Sequence, residues 1–409
     1  MRSLAVALCT LLATAAAAAE PDFSAGGPDA AAYGAPSYPP GTFATVNRQA
    51  NMVGAYSGYD ALRPARTVHR PPTATPFHRD APEPAITYTF GGTVHTMADY
   101  LERHPTTALL LVQDGTILFE HYRYARTDHV RFVSQSMAKT VTGLLVGIAV
   151  GEGRIRSIDD SAATYVPALA GTLHGQASIR ALLTMSSGVQ FREDYVDSVS
   201  DSRRFGRALF AADSQGAVAA LGALATRAAP PSTRFNYSGA DTEALGLVLR
   251  AVTGMPLAEY LQSRIWQPMG AEADAAWVLD GAGQEPAYCC LTAVARDWAR
   301  LGLLMARGGL ANGQQVVPAA WIQAMTRPDR DDLRPGQATR SDGYGFQTWL
   351  LPGERGQFAL RGIHGQAIMV DPASKLVLVH TAVRLAPSGD PAAPELSALW
   401  RALVAQLGR

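Results

Sequence analysis

Lysine is nearly missing from this chain of 409 residues. Only Lys139 and Lys375 occur among 35 basic side chains, so arginine does almost all the work of a generic cation. Charge as a whole is sparse, at 17% of residues against a usual value of about 25%. Apolar residues reach 47%, which excludes a disordered protein and leaves enough for a large core. Basic and acidic residues are both 35, so there is no global positive field to draw nucleic acid. Cysteine is limited to Cys9, Cys289 and Cys290, which excludes a disulfide scaffold and a cysteine-based zinc site. Cys289 and Cys290 are adjacent. Consecutive Cα atoms lie about 3.8 Å apart, below the ~4.4 Å at which ordinary disulfides begin. Two free, buried thiols are therefore expected rather than a bridge.

Several catalytic signatures are also missing. There is no Gly-x-Ser-x-Gly elbow, no His-Glu-x-x-His and no Walker-type Gly-Lys-Ser/Thr. The nine histidines are scattered. No metal site and no cofactor are expected, and the partner implied is a small-molecule substrate. Nothing in the sequence specifies an oligomeric state.

The apolar run from Leu4 to Ala19 follows a basic Arg2 and ends in Ala17-Ala18-Ala19 before Glu20. It is shorter than the roughly 20 residues a spanning helix needs. Residues 1–19 therefore read as a cleaved secretory signal, giving a periplasmic or secreted protein with no stable membrane span. Leu8 before Cys9 argues against a lipid-attachment cysteine. Residues 20–85 are rich in Pro, Gly, Ala and Tyr without period and read as an irregular extension, part of which is expected near the cleft.

Beyond it the pattern is regular. Thr107–Gln113 and Thr116–Tyr122 flank Asp114-Gly115, a strong hairpin signal. Met137–Glu152, Gly216–Arg227, Thr242–Thr253, Cys290–Gly308 and Glu395–Leu407 read as helices. Phe346–Leu350, Phe358–Gly362, Ala367–Val370 and Leu376–Ala382 read as strands. Strands near both ends with helices between predict an α+β fold, an α/β sandwich. One antiparallel sheet flanked by helices is assigned to 86–150 and 331–409, and a mainly helical inserted domain to 151–330.

Ser136-Met137-Ala138-Lys139 carries the chemistry. Positions three apart share one helix face. A serine at a helix N-terminus gains from the positive end of the dipole, and a lysine one turn on can take its proton if burial lowers the lysine pKa. Chance produces such a pair in roughly one chain in ten of this composition, and a surface lysine on an ordinary helix is the bland alternative. The lysine shortage weighs against that alternative, because arginine cannot release a proton and lysine can. Tyr237, in Arg234-Phe235-Asn236-Tyr237-Ser238-Gly239, is a candidate second base and proton shuttle, although alone it is only a tyrosine before a helix. In Gly362-Ile363-His364-Gly365-Gln366 the backbone N–H groups could hold an oxyanion together with that of Ser136. A tight turn there and a structural His364 are the plain alternatives. The acidic pairs Asp159-Asp160 and Glu193-Asp194 fit turn or cap roles at least as well as catalytic ones.

Together these elements resemble the serine β-lactamase and penicillin-binding superfamily, in its class C and esterase branch, over roughly residues 88–407. Ser136-x-x-Lys139 fits the first motif. Leu182-Leu183-Thr184-Met185-Ser186-Ser187-Gly188 resembles a run that the family places next, and Tyr237-Ser238-Gly239 stands where the family has Tyr-x-Asn. Ala295-Arg296-Asp297-Trp298-Ala299-Arg300 resembles a later helix. Gly188-Val189-x-Phe191-x-Glu193-Asp194-Tyr195, Tyr344-Gly345-Phe346-Gln347-x-Trp349 and Gly362–Gln366 resemble 6-aminohexanoate-dimer hydrolases, which cleave a short amide and carboxylesters. The resemblance implies a β-lactamase/transpeptidase-like fold, with Ser136 as nucleophile activated by Lys139 and Tyr237. It implies an oxyanion hole from the N–H groups of Ser136 and Ile363, and Tyr195, Trp349 and His364 around the substrate. Two departures, Gly239 in place of Asn and no Lys-Thr-Gly before the edge strand, count against recognition of a β-lactam carboxylate. Three readings compete: an exported esterase or amidase acting through an acyl-enzyme, a penicillin-interactive enzyme, and a non-catalytic binding module on the same fold.

Overall fold

The computed structural model describes residues 26–79 and 82–408; the expected signal segment lies outside them. The fold is built on a seven-stranded sheet with order Gly343–Tyr344, Trp349–Leu350, Phe358–Gly362, Gln366–Asp371, Leu376–Ala382, Thr106–Gln113 and Thr116–Tyr122. Every neighbouring pair is antiparallel. Asp114 and Gly115 both take positive φ (44° and 96°), which matches the tight turn expected of that dipeptide. In the central strands apolar residues run without interruption because both faces are covered. Leu110 and Val112 face one cluster with Leu144, Trp298 and Val377, while Leu109 and Leu111 face another with Trp400 and Leu403. Helices Met137–Gly151 and Ala295–Ala306 cover the first face, and Met97–Arg103 and Ala393–Leu407 the second.

The N-terminal segment departs from expectation. Its described part is folded, with helix Gln49–Tyr56 and strand Ala65–Val68. That strand joins a second sheet of order Ala65–Val68, Ala275–Val278, Leu291–Val294, Arg131–Val133. Tyr33, Tyr38, Tyr56 and Tyr59 pack with Tyr124, Val133 and Val383, and Tyr33 Oη donates to Val383 O at 2.9 Å. The tyrosines that made this stretch look irregular are its core.

The helix expected over Cys290–Gly308 begins at Ala295, because Leu291–Val294 pairs as a strand on both sides. It packs on the large sheet although it lies within the segment assigned to the helical insert. The helix expected to reach Arg227 stops at Gly222. The strand expected from Phe346 is confined to Trp349–Leu350, since Gln347 turns to φ +56°. Cys289 and Cys290 are not free thiols but a vicinal disulfide, with Cys290 at φ +74°. The limit that argued against a bridge describes cysteines apart in sequence, and a left-handed turn at the second cysteine is what this pair uses instead.

Candidate active site

Strand Arg131–Val133 delivers Ser136 through a tightly tied turn. Ser134 N–H donates to Leu291 O at 2.7 Å, and Leu291 N–H donates back to Ser134 Oγ at 3.1 Å. Gln135 then takes φ +44°, and Ser136 stands as the residue before helix Met137–Gly151. A non-glycine residue held at positive φ costs of order 1–3 kcal/mol and persists only where its surroundings enforce it. The end of the edge strand closes on this turn. A Cβ on Gly362 would stand 2.6 Å from Ser134 O and 2.8 Å from the Gln135 Cβ, so only glycine lets the strand approach so closely. Ser136 and Ile363 thereby face one cleft.

Lys139 Nζ lies 2.8 Å from Ser136 Oγ and 3.4 Å from Tyr288 O. It sits over the rings of Tyr237 and Tyr288, at 4.9 and 5.4 Å from their centroids. The residue is 1% exposed, and no carboxylate comes within ion-pair distance among the described residues. Burial drives its pKa down to about 8, and the Glu193 carboxylate opposes part of that fall. The other lysine, Lys375, is an exposed partner of Asp114 at 2.9 Å in the last hairpin.

Tyr237 precedes helix Gly239–Thr253, whose first turn is capped by Ser238 Oγ accepting from Asp241 N–H at 3.3 Å. Its side chain lies beside Ser136, which favours the phenolate, and its ring stacks on Trp349 at 5.1 Å. Burial, and then the charge of Glu193, raise its pKa, so the phenol keeps its proton. A phenolate base, one of the roles considered for it, does not suit this setting.

Glu193 is the residue that pattern reading missed. Tyr195 Oη donates to one of its oxygens, and Gly239 N–H donates to the other at 3.0 Å. Gly239, where the family pattern has Asn, is thus a backbone donor to Glu193, and a Cβ there would stand 3.2 Å from the Tyr288 ring. Its neighbour Asp194 does have the expected turn role, accepting from the N–H groups of Val196 and Asp197. Gln347 was also missed as a structural tie. Its side chain donates to Leu182 O at 3.0 Å and accepts from Thr242 Oγ1 at 2.8 Å, while its carbonyl accepts from Thr140 Oγ1 at 2.6 Å. One buried residue therefore joins the Ser136 helix, the Tyr237 helix and the Leu182–Gly188 run.

The cleft holds about 400 Å³. Tyr195, Phe235, Tyr237 and Trp349 line it with Glu193, together with Gly362, Ile363 and Gly365 of the edge and with Arg361 and Arg384. Among the residues expected around the substrate, Tyr195 and Trp349 line it and His364 does not. The His364 ring is buried, its Nδ1 lies 2.6 Å from Arg384 O, and it packs edge-on against Tyr56 at 5.5 Å. Its backbone at φ +61° sends the side chain away from the cleft, and burial lowers its pKa. Tyr56 is how the N-terminal segment supports the site.

A serine at a helix start, a buried lysine one turn on, and an edge strand closing over both on a seven-stranded antiparallel sheet define a class, that of serine hydrolases with a β-lactamase-like fold. A family model described as Beta-lactamase matches residues 94–399, and the chain belongs to that family. It is a serine hydrolase of the amidase/esterase kind. It is 29% identical to a 6-aminohexanoate-dimer hydrolase of Paenarthrobacter ureafaciens over 333 residues, 80% of this chain and 83% of that one. Among solved structures it is similar to a Bacillus anthracis protein assigned as a 6-aminohexanoate-dimer hydrolase. There the TM-score is 0.78 at 24% identity, covering 88% of this chain and 94% of that one. It also shares its fold with EstCE1, a hydrolase with promiscuous acyltransferase activity, at TM-score 0.59 and 17% identity, covering 74% and 94% of the two chains.

Proposed function

We propose that this protein is an exported hydrolase that cleaves small carboxylesters or short amides through an acyl-enzyme on Ser136. The observation that carries the reading is Lys139 Nζ at 2.8 Å from Ser136 Oγ, buried, without an acidic partner, and lowered to a pKa of about 8. A lysine so placed holds a usable fraction of neutral amine near neutral pH. It takes the Ser136 proton as Oγ attacks the substrate carbonyl. The tetrahedral oxyanion is held by the N–H groups of Ser136 and Ile363. Tyr237, protonated and beside Ser136, passes a proton to the leaving oxygen or nitrogen and is resupplied by the Lys139 ammonium. The carbon–leaving-group bond breaks and the acyl group stays on Oγ. Water then attacks this ester, giving a proton to Lys139, and the carboxylic acid departs as Ser136 regains its proton. Tyr195 and Trp349 form the substrate wall. Export rests on the leader pattern in residues 1–19.

Two features disfavour a β-lactam substrate. Gly239 has no side chain to orient the substrate amide, and its N–H is committed to Glu193.

Incubation with a fluorophosphonate followed by intact-mass measurement tests the reading. One adduct on the wild type and none on Ser136→Ala is the expected result. A folded wild type that takes no adduct would sink the hydrolase mechanism and leave a binding module. Stable acylation by penicillin would favour the penicillin-interactive alternative.

A further inference from the structure

The vicinal disulfide stands between two anchors of the catalytic residues. Before it, Tyr288 gives Lys139 a backbone oxygen at 3.4 Å and an aromatic face at 5.4 Å. After it, Leu291 exchanges two hydrogen bonds with Ser134, two residues ahead of Ser136. Cys289 and Cys290 are all that separates these anchors. The surrounding backbone is held firmly. Trp277 Nε1 donates to Cys289 O at 2.9 Å, Val278 N–H to Cys290 O at 3.1 Å, and Ala287 N–H to the buried Glu243 carboxyl at 2.7 Å. Both cysteines are buried, in the cluster that Tyr59, Val133 and Val278 share with the N-terminal tyrosines.

The setting shows what the bond does. Cys290 sits at φ +74°, a backbone state that a residue with a Cβ keeps only when its surroundings enforce it. Opening the bond would add two hydrogens and push two sulfurs from bonding distance to van der Waals contact. A close-packed interior resists such added volume. Relief comes from the backbone at Cys290, and any movement there carries Tyr288 or Leu291 with it. The first shifts the oxygen and ring beside Lys139, and the second shifts the turn that presents Ser136. None of Tyr288–Leu291 lines the cleft, so the substrate surface itself is untouched.

We propose that the Cys289–Cys290 bridge is a positioning element for Lys139 and Ser136, and that a dithiol reductant throttles the hydrolase by opening it. This rests on the hydrolase reading above and adds its control. A thiolate of the reductant attacks Cys289 Sγ, the more exposed of the pair. The sulfur–sulfur bond breaks, and its electron pair leaves on Cys290 Sγ, which takes a proton. The second thiolate of the reductant closes its own disulfide and expels Cys289 Sγ, which takes another proton. The protein gains two electrons and two protons, and the dithiol is oxidised to its disulfide.

The test compares the wild type before and after dithiothreitol, with a gain of two hydrogens in intact mass marking the opened bridge. The kcat for a 4-nitrophenyl ester should fall about tenfold or more with KM unchanged, as for a small misplacement of catalytic groups. Oxidised glutathione should restore it after the reductant is removed. Cys289→Ala/Cys290→Ala should have the low kcat from the start and ignore dithiothreitol, which also excludes an effect through Cys9. A reduced wild type with unchanged kcat, or a loss confined to KM, would overturn the proposal. If the bridge resists dithiothreitol, the double variant decides, and wild-type kcat in it would overturn the proposal equally. If the double variant does not fold, reduction and reoxidation of the wild type decide.

Fluorophosphonate labelling keeps this apart from the hydrolase reading. Oxidised protein should label faster than reduced protein. Equal rates would overturn the control by the bridge and leave the hydrolase standing. No label on either form would refute the hydrolase and this proposal with it.

Discussion

The two sides of the cleft are built differently. The floor, with Ser136, Lys139 and Tyr237, hangs on two fifteen-residue helices, Met137–Gly151 and Gly239–Thr253, and is closed by the buried Gln347 amide. The rim over residues 192–199 is held by Arg192 to Asp197, by N–H groups turned onto Asp194, and by little apolar contact. Val196 is 81% exposed. Exposed ion pairs of that kind contribute little, because water and salt screen them. The difference assigns the tasks. Proton transfer needs the dry floor, where a lysine can give up its charge, and substrate choice belongs to a rim that adjusts cheaply. Glu193 links them, since it starts on the rim and its oxygens meet Tyr195 and the Gly239 N–H of the floor.

Lys139→Arg breaks the floor most sharply. It keeps the positive charge and removes the ability to accept a proton, so ester hydrolysis should fall by roughly 10²–10⁴-fold with the fold retained by circular dichroism. A variant with near-normal turnover would remove Lys139 from the base role. Gly362→Ala comes next. Its Cβ would press on Ser134 O and Gln135, displacing the oxyanion edge from Ser136. A displacement of about 1 Å costs up to about 10²-fold in kcat. Steady-state kinetics should show the loss in kcat rather than KM, and an unchanged kcat would mean that the edge is not the oxyanion donor.

How much of this was legible follows from range. The Asp114-Gly115 hairpin, the Phe358–Gly362 and Leu376–Ala382 strands and the Ser136–Lys139 spacing are local, and each carries its own signal in a few residues. Lys139 was readable because the chain avoids lysine elsewhere. Strand Ala65–Val68 was not, because four residues show no period and their partner, Ala275–Val278, is far along the chain. Glu193 looks like any surface charge in sequence. What sets it apart is its bond to the Gly239 N–H, which arises only when distant segments meet. His364 erred the other way. It stands in a motif that faces the cleft, and a positive φ turns it out.

The coupling between rim and floor gives a smaller effect. With Lys139 at about 8, neutral amine increases as pH rises through that value, so kcat/KM should rise on its acid limb and level off above it. The Glu193 carboxylate favours the ammonium and holds that pKa up. Glu193→Gln should therefore move the acid limb to lower pH, and a pH–rate profile that moves upward or stays fixed would disconnect rim from floor.

The smallest expected effect is Val196→Ser. The side chain is 81% exposed and its backbone N–H, not its side chain, is what Asp194 holds. Substitution should change unfolding free energy by less than about 0.5 kcal/mol, as for surface sites away from special features. Because Val196 is not among the residues that line the cleft, KM and kcat for an apolar ester should both stay put. A fall in kcat with unchanged KM would instead show that the rim moves as part of the chemical step, and the division between a rigid floor and an adjustable rim would have to be redrawn.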